Sequence, residues 1–362
     1  MKRIVVGMSG GVDSSMSLLI LKQQGWQPIG VTLKLPVWEN SCNLLRQNVC
    51  CTPESVALAK SVCERLGAEH HEMDAQAGFR RDVMDYFLRE HRSTRTPNPC
   101  VVCNPRIKFR MLFEWAHSHG VEYVATGHYA RTRLNPLTGR YELLMACDRS
   151  KDQTYGLSML PQEWLKNIVF PLGELTKKEV FSLAKKEGFE IFLKRKESQD
   201  LCFVSGKSLR AFLEAEIGTR KGEIIDTAGK TLGTHRGLHF TTIGQHKGLG
   251  IPGSYRVVGF DTGNNRLIVS DDEKDLLRKD VLLEGVRYLS GGTPGGPLPV
   301  EAKVRYRQPL AAATLYPGEG ATARVMFSEP QSAVTPGQFC VFYSGEVCLG
   351  AGAITAQDRR GM

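Results

Sequence analysis

An apolar run from Ile4 to Val6 empties directly into Gly7-Met-Ser-Gly-Gly-Val-Asp-Ser-Ser15. A short buried strand, a glycine turn and a helix start in immediate succession predict a parallel α/β unit with an anion at the turn. Gly10 and Gly11 let the backbone turn tightly and bring amide hydrogens to a ligand. Ser9, Ser14 and Ser15 add hydroxyl donors where the helix begins. The loop lacks the lysine that, in GxxxxGK[ST] loops, reaches the outer phosphates of a nucleoside triphosphate. A polyphosphate is therefore expected here, with its terminal phosphoryl group not the one transferred.

The pattern repeats downstream. Ser14 to Gln24 reads as a helix stopped by Gly25, and Pro28 to Leu33 as a strand. Thr52-Pro53-Glu54 starts a helix ended by Gly67, and Glu69 to Met73 follows as a strand. Helices over about Phe79 to Glu90 and Pro105 to His119, and a strand from Tyr123 to Thr126, complete a doubly wound parallel sheet. Ligands of such sheets bind at the carboxyl ends of strands, so Gly127-His128 is expected to face the crevice of Gly10-Gly11. Thr176 and Glu179 form a capping box for a helix running to Gly188.

Beyond about residue 205 the texture changes. Lys207 to Ile217 reads as helix, and Gly222 to Ile225, Arg256 to Phe260 and Arg266 to Val269 are short alternating segments between glycine turns. Val300 to Arg307, Ala321 to Phe327, Gln338 to Tyr343 and Cys348 to Ile354 predict an antiparallel β-barrel, with Ser290 to Pro299 as a Gly/Pro-rich loop or linker. The division is 1–205 for the α/β domain, 206–278 for a small mixed domain and 279–362 for the barrel.

Forty-seven Lys and Arg against thirty-eight Asp and Glu give a formal charge of +9, which favours a polyanionic partner. No apolar run approaches the roughly 18 residues of a membrane helix, and only three strongly apolar residues follow Lys2-Arg3, so a cytoplasmic protein is expected. In that reducing setting ten cysteines point to metal or sulfur chemistry rather than a disulfide framework. Cys100 and Cys103 stand in Thr96-Pro-Asn-Pro-Cys-Val-Val-Cys-Asn104, read as a non-helical segment before a helix start at Pro105. That helix N-terminus, with Lys108 one turn along, would lower a thiol pKa. By itself the CxxC leaves zinc and redox roles open. Cys202 is a third candidate thiol in a polar loop. Cys42, Cys50, Cys51, Cys63, Cys147, Cys340 and Cys348 read as small buried apolar residues, with the pair Cys50-Cys51 as the exception to watch.

SGGVDSS resembles the pyrophosphate loop (PP-loop) of the ATP pyrophosphatases. Together with TPNPCVVCN, ATGHYAR, SKDQTYGL, FPLGELTKKEV, TTIGQHKGLGI, VRYRQ and PGQFCVFYSGEVCLGAG, in that order along almost the whole chain, it is similar to the tRNA-specific 2-thiouridylases. The resemblance implies a PP-loop domain, a small central domain and a C-terminal β-barrel. It implies a reaction in which ATP with Mg²⁺ adenylates the C2 oxygen of the wobble uridine and a persulfide sulfur displaces AMP.

Matched by motif, Cys202 would carry the persulfide, and Cys103 would free the sulfur and close a disulfide with Cys202. Gly7, Met8, Ser9, Gly10, Gly11, Val12, Asp13, Ser14 and Gly127 would bind ATP, with Asp13 an indirect Mg²⁺ ligand. Leu33 would give a backbone contact to adenine where methionine is commoner. Asn98, Pro99 and Cys100 would border the target base, and His128, Lys151, Asp152, Gln153, Arg305, Tyr306 and Gln338 would contact tRNA. A cysteine desulfurase or persulfide relay protein would supply sulfur to a monomeric enzyme.

Two departures stand out. Cys100 replaces an aspartate common in the family, so Cys100, Cys103 and Cys202 form a three-thiolate set able in principle to hold a [4Fe-4S] cluster. His246 replaces the arginine of the usual GQRKGLG segment. An ATP-dependent amide or guanidino ligase shares the glycine loop and is the alternative class, although such reactions need neither the CxxC nor a basic barrel.

Overall fold

The computed structural model describes residues 1–38, 52–194, 201–205 and 208–355. Strand β1 (Arg3–Gly7) is the middle of a five-stranded parallel sheet. Ile4, Val5 and Val6 are fully buried, registered against Pro28, Ile29 and Gly30 on one side and Tyr123, Val124 and Ala125 on the other. Such uninterrupted burial is what a parallel strand covered on both faces requires.

With β2 (Gln27–Lys34), β3 (His70–Asp74), β4 (Tyr123–Thr126) and β7 (Ile168–Val169), the strand order is β3-β2-β1-β4-β7. The chain winds outward from β1 to β3 and then crosses back to β4 on the other side. The order therefore reverses between β1 and β4, and a crevice opens at their carboxyl ends. Helices Val12–Gln23 (α1), Pro53–Arg65 (α2) and Lys177–Lys186 cover the sheet, the last started by the Thr176/Glu179 capping box.

Two helices depart from expectation. Residues 76–92 run helically throughout, with a π-helical turn at Arg80–Met84. Residues 99–118 do the same: the expected start at Pro105 is instead the interior of a π-helical turn, Asn104–Lys108, between α-helical Pro99–Cys103 and Phe109–Ser118. The CxxC is therefore helical and not a loop before a helix. Pro99 fits at the first helical turn because its missing N–H would be unsatisfied there anyway. The wider turn accommodates Pro105, which would disrupt the interior of a regular α-helix.

The central sheet has the order β10-β11-β8-β9, built from β8 (Gly222–Asp226), β9 (Thr231–His235), β10 (Arg256–Asp261) and β11 (Arg266–Ser270). Six strands, β12 (Leu277–Tyr288), β13 (Leu298–Lys303), β14 (Ala311–Pro317), β15 (Thr322–Ser332), β16 (Phe339–Ser344) and β17 (Val347–Ile354), close into a barrel through pairing of β12 with β17. Ser290 to Pro299 is thus largely a loop inside the barrel. A hairpin from the first domain, β5 (Ala130–Asn135) and β6 (Arg140–Met145), extends this sheet where β6 pairs with β17. Among the described residues no helix is long and apolar enough to cross a membrane.

Candidate active site

The glycine loop leaves β1 and enters α1 with Gly11 as N-cap, and no side-chain hydrogen bond caps it. The serine hydroxyls turn inward instead. Ser14 Oγ donates to the Gly11 carbonyl at 3.1 Å and accepts from Ser9 N at 3.2 Å, and Ser15 Oγ donates to the same carbonyl at 2.9 Å. The first amides of α1 are left pointing at the crevice, the arrangement that binds phosphate.

Two glycines make this approach possible. Gly10 has φ +70°, and a Cβ there would meet the Ser55 carbonyl at the start of α2. A Cβ on Gly127 would lie 2.7 Å from Ser14 N and from the Asp13 carbonyl carbon. Gly127 thus brings the end of β4 onto the start of α1. Met8 and Val12 are buried beneath the loop, and Leu33, at the end of β2, packs between the main sheet core and the cluster that holds Cys103.

Asp13 does not face open solvent alone. Lys177 Nζ donates to both carboxylate oxygens at 2.7 and 2.8 Å, and Tyr129 Oη donates to Oδ1 at 2.9 Å. The Lys177 ammonium stands 5.6 Å from the Tyr129 ring centroid and 5.1 Å from that of Phe181. Sequence reasoning missed both partners of Asp13. A signal existed for one: a lysine in the first turn of a helix opposes the macrodipole, so its place there asks for another reason.

His128, next to Gly127, stacks on Phe109 and meets Phe170 edge-on. Desolvation in this packing, and after it the Lys108 charge, pushes its pKa well below the ordinary imidazole value. Lys108 Nζ is 3.4 Å from Nε2 and can only donate, so Nε2 accepts and Nδ1–H donates to Thr126 Oγ1 at 2.7 Å.

The thiols meet at the start of the 99–118 helix. Cys100, Cys103 and Cys202 line one small cavity with Phe79, Val83, Pro99, Leu201 and Phe203. Cys100 is exposed, Cys103 buried and Cys202 intermediate. Asn98 accepts from Val101 N as N-cap of the segment. Although the three thiols share a cavity, no group of three or more His, Cys, Asp or Glu among the described residues is arranged to hold a metal ion. The cluster expectation gains no geometric support. Cys63, Cys340 and Cys348 are buried as expected, whereas Cys147 is exposed and donates to Glu174 at 2.8 Å, which corrects its reading as core. Cys42, Cys50 and Cys51 lie outside the described residues.

The remaining expected contacts gather where the first domain meets the barrel. Gln338 Nε2 donates to the carbonyls of Thr96 at 2.8 Å and Pro97 at 3.3 Å, and Thr96 N donates to Pro336 O at 2.8 Å. The barrel thereby grips the base of the Asn98-Pro99-Cys100 segment. Tyr306 Oη donates to the Asp152 carbonyl at 3.0 Å, and the buried Asp152 carboxylate accepts from Ala146 N and Thr154 Oγ1. Gln153 accepts from Tyr129 N, and Lys151 closes a turn on Asp148. Arg305 lies just past β13, because the strand expected to reach Arg307 ends at Lys303. It donates to Ile243 O at 2.9 Å and Thr335 Oγ1 at 2.6 Å, joining the central domain to the barrel.

Comparison with known proteins agrees with this architecture. Residues 2–206 match the family model described as the tRNA methyl transferase HUP domain, 210–271 its PRC-barrel domain and 278–354 the aminomethyltransferase beta-barrel domain. A tRNA-specific 2-thiouridylase MnmA of Roseiflexus sp. (strain RS-1) is 43% identical over 374 residues, covering 98% of this chain and 99% of that protein. Proteins of the same name from Synechococcus sp. (strain ATCC 27144 / PCC 6301 / SAUG 1402/1) and Nostoc punctiforme are 41% and 40% identical, each covering 99% of the relative and 99% and 98% of this chain. By identity sustained over its full length, the chain belongs to the tRNA-specific 2-thiouridylase family.

Proposed function

We propose that the protein is an ATP-dependent tRNA 2-thiouridylase working through a cysteine persulfide. The observation that carries this reading is the shared cavity of Cys103 and Cys202, on a helix whose next turn, through Lys108 and His128, adjoins the phosphate loop. A methyl transfer, the word in the family model's description, has no use for a pyrophosphate loop.

ATP brings Mg²⁺ with its phosphates, and the α1 amides receive the pyrophosphate. The uracil O2 bonds to the α-phosphorus, the bond to the bridging oxygen breaks, and pyrophosphate leaves with that electron pair while the N3 proton passes to water. The terminal sulfur of the Cys202 persulfide then attacks C2, and AMP departs with the former O2. Cys103 thiolate attacks Cys202 Sγ, which breaks the sulfur–sulfur bond, leaves sulfur with that electron pair on C2 as N3 regains a proton from water, and forms the Cys103–Cys202 disulfide. A dithiol reductant restores both thiols. Asn98, Pro99, Cys100, His128, Lys151, Asp152, Gln153, Arg305, Tyr306 and Gln338 border or support the tRNA. A persulfide-carrying protein loads Cys202.

The purified protein, given tRNA, ATP and a persulfide donor, is expected to yield 2-thiouridine with AMP and pyrophosphate. Pyrophosphate release that depends on an amine, with no thionucleoside, would reject the reading in favour of a ligase.

A further inference from the structure

The phosphate loop contains no lysine, but from other elements Lys177 reaches its Asp13 and Lys108 reaches His128, the residue after Gly127. The charge of Lys177 is matched by Asp13. Lys108 is different: no carboxylate among the described residues pairs with its ammonium, whose neighbour is the uncharged Nε2 of His128 at 3.4 Å. A partly buried cation held against a neutral acceptor keeps its full charge for an incoming anion, and lacks compensation until one arrives.

Its position says which anion. Lys108 closes the π-helical turn that directly follows Cys103, and such turns recur where a side chain must be aimed at a functional site. His128, its partner, adjoins Gly127, which rests on the amides opening α1. Lys108 is thus linked to the phosphate cradle through His128 and Gly127, and to the thiols through the helix that carries Cys103, and adenylation must bring the α-phosphorus between those two sites.

Resting on the thiouridylase reading, we propose that Lys108 binds the non-bridging oxygens of the α-phosphoryl group during adenylation, with His128 as the positioning residue that holds its ammonium in place. The reaction is the one given above: O2 gains the bond to phosphorus, pyrophosphate leaves with the electron pair, and Lys108 donates hydrogen bonds without losing its proton. Its contribution falls on the transfer step, as for other donors placed where charge develops.

The test measures single-turnover pyrophosphate release at saturating ATP and tRNA, with ATP and tRNA affinities and thermal melts recorded separately. Lys108→Met is expected to slow release about 100-fold with both affinities within about threefold of the original, and Lys108→Arg to restore at least tenfold of that loss. A Lys108→Met rate within threefold of the original protein would overturn the proposal. So would a variant whose affinities fall while its rate at saturation is preserved. If Lys108→Met fails to fold, the Lys108→Gln and His128→Gln variants decide, both at saturating tRNA: unaltered release in both overturns it, and slowed release at unchanged ATP affinity supports it. Absence of tRNA-dependent pyrophosphate release from the original protein would instead overturn the thiouridylase reading itself.

Discussion

Gly127 has no side chain and yet fixes the distance between the end of β4 and the start of α1. Alanine there would force the β4 loop off the start of α1, at a cost of about 1–3 kcal/mol by overpacking. Gly127→Ala is expected to melt earlier and to bind ATP more weakly, measured by calorimetry on the same preparation; unchanged ATP affinity would contradict the close approach. The Asp13–Lys177 pair makes a second residue-level prediction. Lys177→Met leaves the half-buried Asp13 carboxylate uncompensated, whereas Lys177→Met with Asp13→Asn removes both charges, so the double variant is expected to be the more stable of the two by about 1–2 kcal/mol in denaturant titrations. Equal stabilities would show the pair to be energetically idle. For Cys202→Ala, thiolation is expected to vanish while tRNA binding, followed by filter retention, persists; thiolation at the original level would remove Cys202 from the reaction.

At the scale of elements, the helix ending at Arg92 buries a titratable side chain against the central domain. His91 Nδ1–H donates to the His239 carbonyl at 3.0 Å, and burial lowers the His91 pKa to about 4. The folded protein thus binds fewer protons here than the unfolded chain, whose histidine titrates near 6.5. This contribution is complete above about pH 6.5 and is lost as the pH falls toward 4, by about 3 kcal/mol at most. His91→Gln, which keeps a donor but does not titrate, is expected to flatten the fall in stability across that window. An unchanged slope would contradict the assignment. The alternation that predicted the parallel sheet was legible because β1 is apolar and buried at its centre and the helices that precede β2, β3 and β4 run out at Gly25, Gly67 and Gly120. The two π-helical turns were not: no residue of Arg80–Met84 marks one, and at Asn104–Lys108 the proline marks where an α-helix should break and not where the chain widens a turn to continue. The β5–β6 hairpin escaped for another reason: its polar Arg131, Thr132 and Arg133 alternate weakly, and its place is set by pairing with β17, some two hundred residues away. Likewise the loop glycines and the thiols could be read locally, while Lys177, Tyr129 and the grip of Gln338 on Thr96 depend on tertiary contacts that no spacing reveals.

For the molecule as a whole, three sheets are assembled so that the barrel holds the segment leading into the helix that bears Cys100, and the central domain holds the barrel through Arg305. With a formal charge of +9, this assembly is expected to bind tRNA with an affinity that falls linearly in log–log plots against salt; salt-independent binding would contradict an electrostatic partner. The central claim is that ATP turns a uracil oxygen into a leaving group for sulfur. Transfer RNA carrying ¹⁸O at C2 of the target uridine tests it directly. After a single turnover with a persulfide donor, the label is expected in the phosphate of AMP, matched one for one by 2-thiouridine. Unlabelled AMP accompanying thionucleoside would show that the oxygen left by another route.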